Sequence, residues 1–259
     1  MLTGKKILIG ITGSIAAYKI PLLVRLLKKD GADVRVVMTP SAKDFVTPLT
    51  LSTLSGNPVI SHGFDEKTGK WESHVELGLW ADLFVIAPAS ANTIAKMAHG
   101  MADNYLLTVC LSAKCPIMFA PAMDLDMYKH QATQCNIKTL VERGNVFIAP
   151  SSGELASGLC GEGRMEEPKE IYEKIKTFFQ TKQRFKGKKI LVTAGPTYEA
   201  IDPVRFIGNH SSGLMGVEIA RAFADQGAEV TLILGPSSIN PNRKNITVLP
   251  ITSAKEMYN

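Results

Sequence analysis

A thiol in a glycine-rich segment is the first feature of this sequence that could carry chemistry. The segment LASGLCGEGRM spans residues 155–165 and places Cys160 among three glycines. Glycine leaves a backbone mobile, whereas cysteine is usually buried. An ordinary thiol has a pKa of about 8.5, which neighbouring groups can bring close to neutrality. The sequence therefore places a thiol that could take part in chemistry in a flexible, exposed loop.

Small, hydroxyl-rich segments follow five apolar runs and could bind an anion. They read TGS (12–14), TPSA (39–42), PASANT (88–93), PAMD (121–124) and PSSG (150–153). The carboxyl ends of parallel strands lie along one sheet edge, where helix N-termini favour a phosphate. Ser14 and Ser90 could each cap a helix there. Turn formation would explain any one of these loops, but five together predict a phosphate site.

The ligand predicted for this edge is a mononucleotide with a single phosphate. A dinucleotide site would need GxGxxG and an acidic residue at the end of the second strand. Here the first turn reads GITGS (10–14), and the second strand ends in Met38-Thr39-Pro40. The cysteines and histidines show neither CxxC nor HxxxH spacing, so no metal site is expected.

The elements that must position these loops alternate between strand and helix, which predicts an α/β fold with a parallel sheet. The predicted strands are KILIGI, VRVVM, DLFVIA, PIMFA and NVFIA. The predicted helices span residues 14–30, 41–54, 74–81, 91–99, 103–113 and 168–180. Pro21 and Pro48 fall inside two of these helices and should kink them.

The opening unit of the chain is nearly repeated, which predicts two α/β domains. GKKILIGITG (4–13) recurs as GKKILVTAGP (187–196), and KDGADVRVVMTP (29–40) recurs as DQGAEVTLILGP (225–236). We predict a first domain of residues 1–182 and a second, Rossmann-like domain that begins in residues 187–259. The polar segment QTKQRFKG (180–187) is the predicted linker.

Composition predicts a cytoplasmic protein that binds a small anion. Apolar residues form 45% of the chain, and the formal net charge is +5 without a dense basic stripe. A nucleic-acid groove would need a denser stripe. No signal peptide or long apolar stretch is present, so the four cysteines should be reduced.

The first domain resembles the flavin-dependent cysteine decarboxylases. The motifs are GITGSIAAYK (10–19), APASANTIAKMAHGMADN (87–104), APAMDLDMY (120–128) and GLCGEGRM (158–165). The segment TAGPTYEAIDPVRFIGNHSSGLMG (193–216) resembles the opening of phosphopantothenate–cysteine ligase. Together they resemble the bifunctional enzymes of coenzyme A biosynthesis over essentially the whole chain. The resemblance implies a flavodoxin-like decarboxylase fold followed by the start of a ligase domain.

The resemblance implies FMN as the cofactor of the first domain. The matching positions are Gly13, Ser14, Thr39, Ser41, Ser90, Ala91, Asn92 and Thr93. Loss of CO2 from a carboxylate requires an electron sink. In the family, FMN oxidises the thiol of 4′-phosphopantothenoylcysteine to a thioaldehyde that accepts the charge. The resulting enethiol is then reduced and protonated to 4′-phosphopantetheine.

Two catalytic candidates follow from the same resemblance. His74 matches the active-site histidine of the family, and its neutral imidazole could take a proton near pH 7. Asp124 departs from the usual asparagine, which contacts the substrate carboxylate. An ionised Asp124 would repel that carboxylate, so it either holds a proton when substrate is bound or serves the amine or another partner. Tyr128 stands where tryptophan is frequent.

The flap departs from the family pattern as well. The usual Ala-Cys-Gly is replaced by Ala156-Ser157-Gly158, and Cys160 follows three residues after the usual position. We predict that Cys160 is the donor, reached through a shift in the register of the flap. The alternative is that Ser157 holds the position and water or another group supplies the proton. Arg164 would either anchor the flap or meet the substrate phosphate.

In the ligase family, CTP with Mg²⁺ activates 4′-phosphopantothenate for attack by cysteine. By resemblance, Asn209 handles the acyl-nucleotide intermediate. The neighbouring matched residues are Arg205, Ser211, Ser212 and Gly213. The later segments that bind CTP in the family do not follow within residues 1–259, so we expect decarboxylation without ligation.

The resemblance also predicts partners and leaves two rival functions. The FMN domains should form homotrimers with sites between subunits, and ligase dimers would build these into homododecamers. One rival is a prenylated-flavin synthase, which His74, the PAMD motif and the ligase opening disfavour. The other is a non-enzymatic FMN-binding regulatory subunit, which the histidine and the flap thiol disfavour. No nucleic-acid, membrane or metal partner is expected.

Overall fold

In a computed structural model of the chain, the apolar runs of the first unit pair into a six-stranded parallel sheet. Its spatial order is β3-β2-β1-β4-β5-β6. The strands are β1 (Lys6–Ile11), β2 (Asp33–Met38), β3 (Val59–Ile60), β4 (Leu83–Ala89), β5 (Ile117–Pro121) and β6 (Val146–Phe147). Every residue of β4 is buried, as expected for a sheet covered on both faces. The predicted α/β fold with a parallel sheet is confirmed.

Helices connect these strands. They are α1 (Ile20–Lys29), α2 (Pro48–Ser55), α3 (His74–Trp80), α4 (Ala91–His99), α5 (Tyr105–Ser112), α6 (Leu125–Lys129), α7 (Gln131–Glu142) and α8 (Pro168–Thr181). The predicted helices over 14–30 and 41–54 are each divided, because Pro21 and Pro48 lie in the first turns of α1 and α2. Short 3₁₀ helices, Ile15–Lys19 and Pro40–Asp44, precede them.

A short antiparallel hairpin was not predicted. It consists of β7 (Ser151–Glu154) and β8 (Cys160–Arg164), with Glu154 opposite Cys160. This β7–β8 hairpin occupies the segment that the sequence analysis interpreted as a mobile flap. Gly158, in its turn, has a φ of +82°, a backbone conformation that favours glycine.

The order of the strands reverses between β1 and β4. Chain order runs outward through β2 and β3 on one side of β1, and through β4, β5 and β6 on the other. In open α/β sheets, ligands bind at such a switch point, outside the carboxyl ends of the strands. The fold therefore indicates a ligand site at the loops after β1 and β4.

The second unit repeats the opening pattern with a hairpin inserted. Its elements are β9 (Lys189–Ala194), β10 (Tyr198–Ala200), β11 (Phe206–Gly208), α9 (Leu214–Asp225), β12 (Glu229–Leu234), β13 (Ile246–Pro250) and α10 (Ala254–Tyr258). The strands β13-β12-β9 form a parallel sheet, and β10 pairs with β11. Helix α9 buries Val217, Ala220 and Ala224 in the core of this unit.

The structure describes residues 2–64, 72–181 and 184–258, in two units bounded as Met1–Lys176 and Thr177–Asn259. The boundary falls near the end of α8, and residues 182 and 183 of the predicted linker lie outside the described ranges. Within those ranges, every helix is too short or too polar to cross a membrane.

Candidate active site

A cavity of about 580 Å³ opens at the switch point of the first unit. It lies against the loops after β1 and β4, where the predicted phosphate-binding residues Gly13, Ser14, Ser90 and Ala91 line its wall. The volume falls within the range typical of small-molecule sites. Two of the loops predicted to bind a phosphate therefore line a cavity, and their role in binding stays a prediction.

Ser14 and Ser90 cap the helical segments that follow them. The Ser14 hydroxyl accepts a hydrogen bond from the Ala16 amide at 3.3 Å, and the Ser90 hydroxyl accepts one from the Thr93 amide at 3.3 Å. The Ser90 hydroxyl also lies 3.2 Å from Thr93 Oγ1. The two caps predicted from the sequence are therefore present, and they begin helical turns at the cavity.

The other predicted cofactor residues stand behind this wall. Thr39 and Ser41 follow β2, and their hydroxyl oxygens lie 3.2 Å apart. Ser41 packs so closely on Gly13 that a Cβ at Gly13 would lie 2.6 Å from Ser41 Oγ. Thr93 is buried beneath Ser90, and Asn92 is exposed. None of these four residues lines the cavity in the part of the chain that the structure describes.

Asp124 brings an unsatisfied carboxylate to the cavity. It follows β5 at the N-cap position of α6, but its side chain makes no capping hydrogen bond. Its Oδ1 atom is buried without a hydrogen-bond partner among the described residues. A buried acceptor without a donor is costly, so the geometry favours a ligand that brings a donor to Asp124.

The β7–β8 hairpin forms another side of the cavity. Its turn presents Ser157 and Leu155 to the cavity, whereas Cys160 is exposed on β8 and lies outside the lining. At the base of the hairpin, the Met123 amide donates to the Gly163 carbonyl at 3.1 Å. In this conformation the serine, rather than the predicted cysteine, therefore faces the site.

Two cations at the cavity wall share one carboxylate oxygen. Lys19 Nζ lies 2.7 Å from Glu167 Oε1, and Arg164 Nη2 lies 2.9 Å from the same atom. The hydrogen bond from Lys19 is the main cause that lowers the pKa of Glu167. Sequence analysis did not select Lys19. The sequence signal that could have identified it is a lysine between the apolar segments IAAY and IPLLV. In the structure only 8% of the Lys19 side chain is exposed.

His74, like Cys160, is a predicted catalytic residue that lies outside the described lining of the cavity. It is the first residue of α3, after the N-cap Ser73, and it is half-buried. The described lining of the cavity does not include it. Cys110 also lies outside the described lining, and burial raises the pKa of its thiol.

A smaller cavity of about 230 Å³ lies in the second unit, beside the end of β9 and the start of α9. The predicted residues Ser211 and Gly213 line it. The Asn209 side chain accepts from the Ser211 amide at 3.0 Å, and Arg205 pairs with Asp202 at 2.6 Å. Arg205, Asn209 and Ser212 lie outside its described lining.

Family models match both units of the chain. Residues 1–180 match the family described as Flavoprotein. Residues 185–259 match the DNA/pantothenate metabolism flavoprotein C-terminal domain. The first match covers more than half of the chain.

Curated relatives share about half of their aligned residues with this chain. The coenzyme A biosynthesis bifunctional protein CoaBC of Haemophilus influenzae is 51% identical over 257 residues, which cover 99% of this chain and 64% of the relative. A cysteine/cysteine sulfinic acid decarboxylase of an unknown prokaryotic organism is 56% identical over 82% of this chain and 60% of the relative. The chain thus spans less than two thirds of the length of either relative.

Solved structures resemble the first unit. A cysteine-to-serine mutant of PPC decarboxylase, complexed with pantothenoylaminoethenethiol, is 33% identical with a TM-score of 0.62. The alignment covers 68% of this chain and 99% of that one. The FMN-binding protein AtHal3 is 32% identical with a TM-score of 0.60, over 68% of this chain and 97% of that one.

Proposed function

The chain belongs to the Flavoprotein family, and on that premise we propose that its first unit binds FMN and decarboxylates 4′-phosphopantothenoylcysteine to 4′-phosphopantetheine. The observation that carries this proposal is the cavity at the switch point. The loops after β1 and β4, which are suited to bind a phosphate, line this cavity together with the Asp124 carboxylate. The names of the coenzyme A biosynthesis relatives and of PPC decarboxylase support the choice of substrate.

The residues at the cavity suit a flavin mononucleotide. Gly13, Ser14, Ser90 and Ala91 are small and stand beside helical N-termini, so backbone amides can approach one phosphate. Thr39, Ser41, Asn92 and Thr93 would support that wall from behind. When bound, FMN supplies the oxidation of the substrate thiol and the electron sink that decarboxylation requires.

The cavity wall also suits an anionic substrate. Lys19 and Arg164 together carry two positive charges against the single charge of Glu167. The lowered pKa of Glu167 keeps this network charged to pH values below the ordinary glutamate range. We assign the Lys19 and Arg164 side chains to the binding of the substrate phosphate, and Asp124 to the end of the substrate that bears the cysteine carboxylate.

His74 is proposed as the base that acts on the substrate, supplied to each cavity by a neighbouring copy of the chain. This assignment follows from its position outside the lining of its own cavity and from the resemblance to trimeric decarboxylases. The proposed assembly is a homotrimer, or a homododecamer where second units pair. A neutral imidazole near pH 7 suits the removal of a thiol proton.

The proton donor of the hairpin is proposed to be Cys160, reached when the hairpin shifts, and Cys160→Ser tests it. We expect this variant to release an oxidised, decarboxylated enethiol in place of 4′-phosphopantetheine, as measured by product mass. Cys160→Ala provides the same test without a hydroxyl. Unchanged phosphopantetheine from both variants would assign the donor to Ser157, to water or to another group. The mutant structure holding pantothenoylaminoethenethiol supports this choice of readout.

Gly163→Ala is expected to separate the hairpin from the Asp124 loop. A Cβ at Gly163, where φ is +135°, would lie 2.5 Å from the Met123 carbonyl oxygen, so the base of the hairpin must move. We expect a loss of about 2 kcal/mol, or roughly 4–8 °C in Tm, and at least tenfold slower CO2 release. Gly56→Ala is the matched control, since φ is +73° there but no atom lies within 4 Å of the new Cβ. A variant at Gly163 with normal turnover would show that this contact does not matter.

A second candidate substrate is free cysteine. The unpartnered Asp124 Oδ1 is an acceptor that a substrate ammonium group would satisfy. A relative with 56% identity is named a cysteine/cysteine sulfinic acid decarboxylase, which supports this alternative. The two substrates are distinguished by the Asp124 variant that we describe in the Discussion.

For the second unit we propose a role in binding the acyl nucleotide of the ligase reaction. Its small cavity and the Asn209–Ser211 contact support this role, with CTP as a reactant and Mg²⁺ as the cofactor of that reaction. A cytoplasmic location completes the proposal.

The central proposal is tested with purified protein. FMN is added and the excess is removed. A yellow protein that releases CO2 from 4′-phosphopantothenoylcysteine is the expected result. A protein that takes up no flavin would contradict the proposal, and one that takes up flavin but releases no CO2 from either substrate would favour the regulatory rival.

A further inference from the structure

Thr12 is a polar residue in the core that none of the assigned roles uses. It directly follows β1 and is 1% exposed. Its hydroxyl donates to the Pro88 carbonyl at 2.7 Å and accepts from the Ser90 amide at 2.9 Å. A single buried side chain therefore joins the segment after β1 to the end of β4 and the loop that follows it.

This connection lies beyond the last pair of residues that β1 and β4 share in the sheet. The register between β1 and β4 runs from Ile7 opposite Leu83 to Gly10 opposite Ile86. The pairing of β4 with β5 is also irregular between Ile86 and Ala89. Backbone pairing with β1 therefore stops four residues before Ser90, and the Thr12 hydroxyl provides the next link between the two segments.

The two segments joined by Thr12 both contribute to the lining of the cavity. Gly13 and Ser14 follow Thr12 immediately, and Ser90 and Ala91 lie on the other side of the link. Because the Ser90 amide donates its hydrogen bond to Thr12, that amide is held in one orientation and is not available to a ligand. The Ser90 hydroxyl is held by a separate hydrogen bond, which it accepts from the Thr93 amide as the N-cap of α4.

We propose that Thr12 is a positioning residue that sets the spacing of the two loops around the phosphate of a bound flavin mononucleotide. The inference rests on the proposed function, because it assumes that FMN occupies the cavity. Thr12 acts through Ser90 and the Gly13–Ser14 turn and does not touch the ligand. Its hydroxyl should therefore affect the phosphorylated flavin more than the flavin that lacks phosphate.

The test compares three variants of the full chain. Thr12→Val keeps the shape but removes both hydrogen bonds, and Thr12→Ser keeps the hydroxyl. Ser55→Ala is the matched control, since Ser55 is fully buried, hydrogen-bonded within the α2–β3 connection and absent from the cavity lining. Kd values for FMN and for riboflavin are measured by flavin fluorescence, together with Tm of the flavin-free proteins.

We expect Thr12→Val to weaken FMN binding by roughly 10- to 100-fold and to reduce the preference for FMN over riboflavin by about tenfold. Thr12→Ser should stay within about threefold of the original protein, and Ser55→Ala should lower Tm without changing that preference. If Thr12→Val does not fold, Thr12→Ala takes its place. An unchanged preference in the variant without the hydroxyl, or an equal loss in Ser55→Ala, would overturn the inference. Failure of the original protein to bind either flavin would instead contradict the proposed function.

Discussion

Replacement of His74 by asparagine is expected to lower CO2 release from 4′-phosphopantothenoylcysteine by roughly 10²- to 10⁴-fold, while FMN binding persists. The imidazole is the base in the proposed reaction, and asparagine can occupy its place but cannot take a proton. His74 is not among the residues proposed to hold the flavin, so the loss should not involve flavin uptake. Steady-state turnover and the visible flavin spectrum measure the two properties separately. Equal loss of both would assign His74 a structural role.

Mixed oligomers test whether His74 acts in a neighbouring copy. Gly13→Val is the complementary variant, because a Cβ at Gly13 would lie 2.6 Å from Ser41 Oγ and would disturb the flavin wall. Each variant alone should be inactive. When they are coexpressed, a His74 from the Gly13→Val chain can meet an intact cavity of the other chain, and turnover should return. Mixed oligomers that assemble but remain inactive would contradict a shared site.

Asp124→Asn is expected to raise kcat/KM for 4′-phosphopantothenoylcysteine about tenfold. We propose that Asp124 holds a proton when the substrate carboxylate is bound, since two nearby negative charges repel each other. Asparagine cannot ionise, so the variant removes the repulsion between the two carboxylates. Identical turnover and pH–rate profiles for the variant and the original protein would rule out this role.

The same variant distinguishes the two candidate substrates. If free cysteine is the substrate, an ionised Asp124 would pair with its ammonium group, and asparagine would weaken that contact. The Asp124→Asn variant should then lose activity on cysteine at every pH. Asp124→Ala serves as the control that removes the side chain altogether. A gain on one substrate and a loss on the other would assign the role of Asp124 directly.

The loops that line the cavity after β1 and β4 were predictable from the sequence because their signals are local. Each predicted loop follows an apolar run, and the N-caps Ser14 and Ser90 depend on residues two or three positions away. Pro21 and Pro48 also marked the positions where two predicted helices divide, since proline is accepted in the first turn of a helix. Local chemistry therefore determined the elements around the cavity.

The β7–β8 hairpin was not predictable by the same means. Its strands read SSGE and CGEGR, with few residues that favour strands. The hairpin depends on distant contacts, including the Met123–Gly163 hydrogen bond and the close approach of Gly161 to Leu125. Sequence spacing could not show that Ser157 would face the cavity while Cys160 pairs with Glu154.

The hairpin is attached to the rest of the first unit mainly at its base. Gly163 is its one buried residue, and Lys19 and Arg164 meet at Glu167 beside it. Regions with little buried surface open with a smaller free energy than the global unfolding of a domain. We therefore expect a ligand of the cavity to exchange through a partial opening of this segment while β1 and β4 remain folded. The rate of that exchange would be set by the few contacts at the base and not by the stability of the sheet.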